Sequence, residues 1–191
     1  MQAATPAGRG LTYFAIRFLT GPRIVKSMKE RFRVVFVSQR NSLRSVVAHA
    51  CLAHLARKRF IVASCGQPGF IADSVHPAAV GALNSASIAI PTDAPQSWHR
   101  LILSGAPVAD FIITLDEEVA ALAPRWPGQP DVATWSFPDI ASVIDAEQVG
   151  IAAIKILYAL HRRLELFSNL PLAGSDRSAI RSDVRDLAHH Y

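Results

Sequence analysis

The sequence predicts an α/β domain of three layers, in which helices cover both faces of a four-stranded parallel sheet. Runs of β-branched and aromatic residues alternate with stretches whose apolar residues recur at helical spacing, the pattern of strands joined by crossover helices. The first run stops abruptly at a short polar loop that leads into a helical pattern. Half of the 191 residues are apolar, enough to bury one core.

The predicted elements follow one another along most of the chain. A strand over residues 33–37 is followed by a helix over about 43–57, and a second strand over 60–64 by a helix that begins at His76 with Pro77 in its first turn. The later elements are a short helical piece within 96–103, a third strand over 109–115, a fourth strand within 133–139 and a long amphipathic helix over 145–170.

The loop between the first strand and the first helix is the candidate anion site. The first amides of a helix lack intrahelical partners and carry partial positive charge, so a loop that leads into a helix attracts an oxyanion. Arg44 adds a planar, permanently charged group that can hold two oxygens at once. The predicted oxyanion-binding loop consists of Gln39, Arg40, Asn41, Ser42, Leu43, Arg44 and Ser45.

The loop resembles that of the low-molecular-weight protein tyrosine phosphatases and their relatives, the thioredoxin-coupled arsenate reductases. Their loop has a Cys, five residues, then Arg and Ser, with Asn three residues after the Cys. This chain has Ser38, Asn41, Arg44 and Ser45 at the matching places, and the resemblance runs from about Phe32 to Leu170. It implies the strand order 2-1-3-4, which the pattern alone does not supply.

The resemblance assigns three catalytic positions. They are Ser38 in place of the nucleophilic Cys, Arg44 as the phosphate-binding guanidinium and Asp139 as the general acid. The family has Pro after this Asp, whereas Ile140 follows here. A serine hydroxyl is not made anionic by loop amides and an arginine alone, so it needs a neighbouring base that the loop does not offer.

Two functions of different classes follow. We expect a phosphatase-like protein that binds phosphate or another oxyanion and is catalytically impaired. The alternative is an active phosphomonoester hydrolase of the tyrosine phosphatase type, with Asp139 as general acid. Arsenate reduction through a disulfide relay is disfavoured, because Asp116 occupies the place of the first resolving cysteine and no cysteine follows it. Cys65, near the same sheet edge, is expected to be a small buried residue rather than a replacement nucleophile.

Composition limits the partners. The net charge of +5 is concentrated in residues 1–27, which hold four basic residues and no acidic ones, so the rest carries only +1. We therefore expect no nucleic-acid partner, and without a long apolar run no membrane span. No metal or other cofactor is predicted. The expected partners are phosphate, sulfate, or a phosphorylated protein or small molecule, and the two cysteines favour a cytoplasmic protein.

The predicted organisation is one domain with a tail at each end. Residues 1–30 are expected to be a basic, disordered extension, and residues 31–170 the phosphatase-like domain. Residues 171–191 form either a solvated tail or a short docking helix behind a cap at Ser175, with Ile180, Val184 and Leu187 on one face.

Overall fold

The computed structural model describes residues 31–140, 145–172 and 176–189, so the predicted N-terminal extension lies outside the described residues. Four parallel strands form one sheet in the order β2-β1-β3-β4, which confirms the predicted fold class. The strands are β1 (Phe32–Ser38), β2 (Phe60–Gly66), β3 (Phe111–Thr114) and β4 (Asp131–Thr134).

The described helices lie on both faces of the sheet. They are α1 (Arg44–Ala56), α2 (Pro77–Ser85), α3 (His99–Ile102), α4 (Glu117–Ala121), α5 (Ala146–Asn169) and α6 (Arg177–Asp186), the last followed by a 3-10 turn, Leu187–His189. No helix among the described residues is long and apolar enough to cross a membrane.

The alternation of side chains along β1 produces the three layers. Val34 and Phe36 belong to the larger apolar cluster, which also contains residues of α1, α2, α5 and α6. Val35 and Val37 point to the other face, where they pack with Trp98 at the start of α3 and with Val119 of α4. Because successive side chains of a strand point to opposite faces, one strand serves both layers.

Several helix starts have the caps that their sequences favour. The His76 imidazole accepts a hydrogen bond from the Ala78 amide, and Asp145 accepts from the amides of the first turn of α5. The N-cap of α6 is Asp176, whose carboxylate accepts from the Ser178 amide, whereas the expected cap, Ser175, lies outside the described residues.

The helix α4 was not anticipated. It is only five residues long, too short to show an apolar period, and it begins behind Asp116, whose carboxylate accepts hydrogen bonds from the amides of Glu118 and Val119. Asp116 therefore has a structural role at the end of β3, beside the predicted anion loop.

Candidate functional site

The loop that follows β1 is attached by its carbonyl groups to the segment after β2. The carbonyl oxygens of Gln39, Arg40 and Ser42 accept hydrogen bonds from the amides of Gln67 (2.9 Å), Ala72 (3.1 Å) and His76 (2.9 Å), respectively. In a trans peptide the N–H points away from the carbonyl of the same unit. We infer that the amides that follow these three carbonyls point away from the segment after β2 and toward the inside of the loop.

Side chains of the loop hold its shape. The Ser38 and Ser45 hydroxyl oxygens are 2.8 Å apart, and the Asn41 side-chain amide donates to the Ser45 hydroxyl at 2.9 Å. Asn41 has a φ of 52°, in the left-handed region that Asn tolerates better than most residues. Its side-chain oxygen accepts from the Gln96 amide at 2.9 Å, so the loop is also tied to the segment before α3.

Gly66 at the end of β2 lies directly against the loop. A Cβ atom at this position would stand 2.8 Å from the Gln39 carbonyl oxygen and 3.0 Å from the Asn41 nitrogen. Only glycine allows the end of β2 to approach the loop so closely. The conformation of the loop thus depends on a residue outside the motif.

The Arg44 guanidinium is buried, with 4% of the residue exposed, and it contacts four oxygen atoms. One terminal nitrogen, Nη1, donates to the carbonyl oxygens of Phe137 (2.7 Å) and Leu115 (3.3 Å). The other, Nη2, donates to Asp116 Oδ2 at 2.9 Å and lies 3.4 Å from Asp139 Oδ1. Arg44 therefore connects the loop to the ends of β3 and β4.

An open pocket of about 330 Å³ lies over these groups. Its lining residues are Gln39, Arg44, Asp116, Glu117, Glu118, Ser136, Phe137 and Asp139. Four of these side chains are carboxylic acids, so an anion that enters the pocket meets one buried guanidinium and several carboxylates. The groups that could offset these carboxylates are fixed in place, namely Arg44 and the loop amides.

The structure brings most of the predicted site residues together. Ser38, Asn41, Arg44 and Ser45 form one buried cluster, and Asp139 reaches it from the segment after β4. The other loop residues differ in position: Gln39 lines the pocket, Ser42 is buried, Leu43 is part of the apolar core, and Arg40 is exposed.

Three neighbours of the site were missed by the sequence reasoning. Asp116 binds Arg44, the Gln96 amide binds Asn41, and Gly66 packs against the loop. A signal existed for two of them, since Asp116 and Gly66 stand at the carboxyl ends of parallel strands, where such sheets place their ligands. Nothing in the sequence indicated Gln96, because its contact is made by the backbone.

The two cysteines are free and buried. Burial raises the pKa of the Cys65 thiol to about 12, and that of Cys51 likewise to about 12. A thiol in this state is protonated at neutral pH and does not act as a nucleophile. Cys65 is thus the small buried residue that was expected.

His49 is a buried imidazole on α1, near the loop. Its Nδ1 lies 3.4 Å from the Ser64 hydroxyl, and burial lowers the pKa of the ring, with a smaller opposing effect of Asp93. Among the residues that the structure describes, no group of three His, Cys, Asp or Glu side chains is arranged to hold a metal ion.

The model of the low molecular weight phosphotyrosine protein phosphatase family matches residues 33–132, just over half of the chain. The chain belongs to this family. The matched region contains the loop, Gly66 and Asp116, and it ends before Asp139, α5 and α6. A comparison with curated proteins gives no match.

Solved structures of related fold include both branches that the loop resembled. An arsenate reductase described as being in the phosphate binding state has a TM-score of 0.57 at 22% identity, covering 72% of this chain and 96% of that one. A low molecular weight protein tyrosine phosphatase from T. tengcongensis has a TM-score of 0.54 at 19% identity, covering 70% and 98%.

A third solved structure extends well beyond the part of it that this chain matches. The thioredoxin-dependent arsenate reductase of Corynebacterium glutamicum has a TM-score of 0.50 at 22% identity, and the match covers 72% of this chain but only 64% of that one. At such identities these likenesses establish the fold alone.

Proposed function

We propose that this member of the family binds phosphate or a similar oxyanion in the loop that follows β1, and that its hydrolysis of phosphoesters is impaired. The observation that carries the proposal is the buried Arg44 guanidinium at the end of a loop whose carbonyls are bonded outward. Both features attract an anion through fixed dipoles and charge, and neither depends on a nucleophile.

The impairment is inferred from the surroundings of Ser38. Its hydroxyl is bonded to the Ser45 hydroxyl, and within the described ranges no carboxylate or imidazole is hydrogen-bonded to it. A serine attacks phosphorus only when a base removes its proton, whereas the cysteine of the family ionises readily in such a loop. Ser38 in this setting is a binding group.

Active hydrolysis is the second candidate, and the position of Asp139 favours it. Its carboxylate lies 3.4 Å from Arg44 Nη2 at the mouth of the pocket, where a general acid could protonate a leaving oxygen. Arsenate reduction by a cysteine relay is not proposed, because both cysteines are buried and carry raised pKa values.

The test compares the native protein with Ser38→Cys. Phosphate and vanadate binding are measured by isothermal titration calorimetry, and turnover with an aryl phosphate. We expect the native protein to bind phosphate with little or no turnover, and Ser38→Cys to gain turnover. Efficient hydrolysis by the native protein that is abolished in Ser38→Ala would establish the second candidate instead.

The binding groups are tested by a matched pair of arginines. Arg44→Ala should weaken phosphate binding by about 1.5–3 kcal/mol, because it removes charge-assisted hydrogen bonds. Arg40→Ala removes the same charge from an exposed position of the same loop and should have a much smaller effect. Equal losses in the two variants would mean that only overall charge attracts the anion.

The natural ligand would be a phosphorylated protein or small molecule, or the free anion. The cytoplasmic location expected from the cysteine content stays a prediction. A panel of phosphopeptides and free phosphate, compared in the same calorimetric assay, distinguishes these ligand classes.

A further inference from the structure

The helix α6 lies beyond the region that defines the family, yet it is part of the folded domain. The family match ends at residue 132, whereas α6 spans Arg177–Asp186 and packs against β4. Ile180, Val184 and Leu187 are buried in the larger apolar cluster. A segment after the shared fold therefore contributes to the core beside the last strand.

Charged groups fasten α6 to the beginning of β4. Asp131 is only 4% exposed, and its carboxylate is bound by Arg181 Nε at 2.8 Å and by Arg177 Nε at 3.3 Å. Arg177 also donates to the Gln129 carbonyl at 3.2 Å. A buried carboxylate needs such partners because its desolvation is costly. The first residue of β4 thus fixes the position of α6.

A second attachment lies at the other end of β4. Trp135 follows the strand and is fully buried, and its indole Nε1 donates to the Val184 carbonyl oxygen of α6 at 3.0 Å. The same residue is held to the sheet by a backbone hydrogen bond from its amide to the Thr114 carbonyl at 2.8 Å. Trp135 thus joins α6 to the segment that leaves β4.

That segment leads directly into the candidate site. The Phe137 amide donates to the Leu115 carbonyl at 3.2 Å, and the Phe137 carbonyl accepts from Arg44 Nη1 at 2.7 Å. The buried Arg163 side chain of α5 lies over both the Trp135 ring (5.6 Å from Cζ to centroid) and the Phe137 ring (4.8 Å). Arg163 therefore packs against Trp135 and Phe137 together.

We infer that α6 positions residues 136–139, the acid segment, and that Trp135 is the positioning residue through which it acts. The helix is clamped at Asp131 and at Trp135, so it holds β4 at both ends. Loss of either clamp frees the acid segment to shift relative to Arg44, which donates one of its hydrogen bonds to the Phe137 carbonyl of that segment. The inference rests on the proposed function for its effect on the anion, but the positioning itself does not require a ligand.

Two pairs of variants test the two clamps. Trp135→Phe removes the indole N–H and keeps a large aromatic ring; its control is Trp126→Phe, which makes the same change in the other apolar cluster. Arg181→Ala removes the closer arginine and leaves Arg177 paired with Asp131, so the domain should still fold. Its control is Asp183→Ala, an exposed position of the same helix.

The first measurement needs no ligand. Hydrogen exchange followed by mass spectrometry compares peptides that cover 131–140 with peptides that cover β2. In Trp135→Phe and Arg181→Ala, exchange in 131–140 should become about tenfold faster while β2 is unchanged, because only the last strand loses a restraint. Arg181→Lys, which keeps the charge beside Asp131, should restore slow exchange. Equal acceleration in both regions would overturn the inference, since α6 would then be a general stabiliser.

The second measurement is phosphate affinity. Both variants should bind phosphate about twofold to thirtyfold more weakly than their controls, the range expected for coupling through packed residues. Local acceleration of exchange with unchanged affinity would refute the link to Arg44. If the native protein itself binds no phosphate, the proposed function fails, and the exchange results alone decide whether α6 positions the acid segment.

Discussion

The close approach of Gly66 to the loop leads to a prediction that needs no catalytic activity. In Gly66→Ala, the new methyl group would stand 2.8 Å from the Gln39 carbonyl oxygen, 2.9 Å from Ile71 Cδ1 and 3.0 Å from the Asn41 nitrogen. The isoleucine methyl can rotate away, but the two backbone atoms cannot. The Gln39 carbonyl also accepts a hydrogen bond from the Gln67 amide, so moving the loop away from the end of β2 also strains this hydrogen bond.

The structure sets the size of the effect. Overpacking of this kind costs about 1–3 kcal/mol of folding free energy. Displacing Gln39 also turns the next amide away from the inside of the loop, and the loss of one charge-assisted hydrogen bond weakens anion binding on the order of tenfold to a hundredfold. Both losses come from one added methyl group that touches neither Arg44 nor the ligand.

Gly81→Ala is the matched control. Gly81 lies within α2, and a Cβ atom there would meet no atom within 4 Å. The same substitution should therefore stabilise the protein by about 0.5–1 kcal/mol, because alanine loses less backbone entropy in a helix. Its phosphate affinity should equal that of the native protein.

Urea unfolding followed by circular dichroism measures the stability of both variants, and calorimetry measures phosphate binding. The reasoning is refuted if Gly66→Ala is as stable as the native protein and binds phosphate equally well. A loss of stability without any loss of affinity would show that the loop relaxes away from Gly66 without moving its amides.

Three further predictions concern the charges and thiols around the site. Asp116→Asn removes a negative charge 2.9 Å from the Arg44 guanidinium and keeps a good helix cap. Calorimetry should therefore show that phosphate binds about threefold to tenfold more tightly. Weaker binding would mean that the carboxylate is needed to orient the guanidinium. Burial lowers the pKa of His49 below 6.5, so the unfolded state binds more protons than the folded state. Urea unfolding should therefore show that stability falls as the pH drops through 6.5 toward the lowered pKa. His49→Gln should reduce this loss, while His54→Gln, at an exposed position of the same helix, should not. Because the pKa of each buried thiol, Cys51 and Cys65, is about 12, a thiol reagent near neutral pH should react slowly with the folded protein and rapidly with both cysteines in urea, and fast reaction of the folded protein would contradict their burial.

The fold was predictable because its central strands, β1 and β3, are largely buried on both faces. Such strands appear in the sequence as continuous runs of β-branched and aromatic residues, as in residues 34–37 and 111–113, and their alternation with helical periods indicates a parallel sheet. The strand order could not be obtained in this way, since it is a tertiary choice. It came from the resemblance of the loop, and the structure confirms it.

Residue spacing predicted the site only where its contacts are local, and the prediction of Asp139 came from the family resemblance instead. Ser38, Asn41 and Ser45 are hydrogen-bonded to one another within eight residues, so their spacing carries the signal. The partners of Arg44 are 71 to 95 residues further along the chain, and two of them are backbone carbonyls. A carbonyl has no sequence signature, so its contribution is visible only in the structure.

The proposed function requires that binding and chemistry be separable, and the contacts of the loop supply a physical reason for this. The orientation of the loop amides depends on the Gln67, Ala72 and His76 amides, which bond the loop carbonyls from outside, and on the space left by Gly66. None of these contacts involves the side chain at position 38. Under the proposed function, a serine at position 38 would remove the attacking atom while the loop amides keep the orientation that attracts an oxyanion. Anion binding would then depend on the segment after β2, which supports the loop.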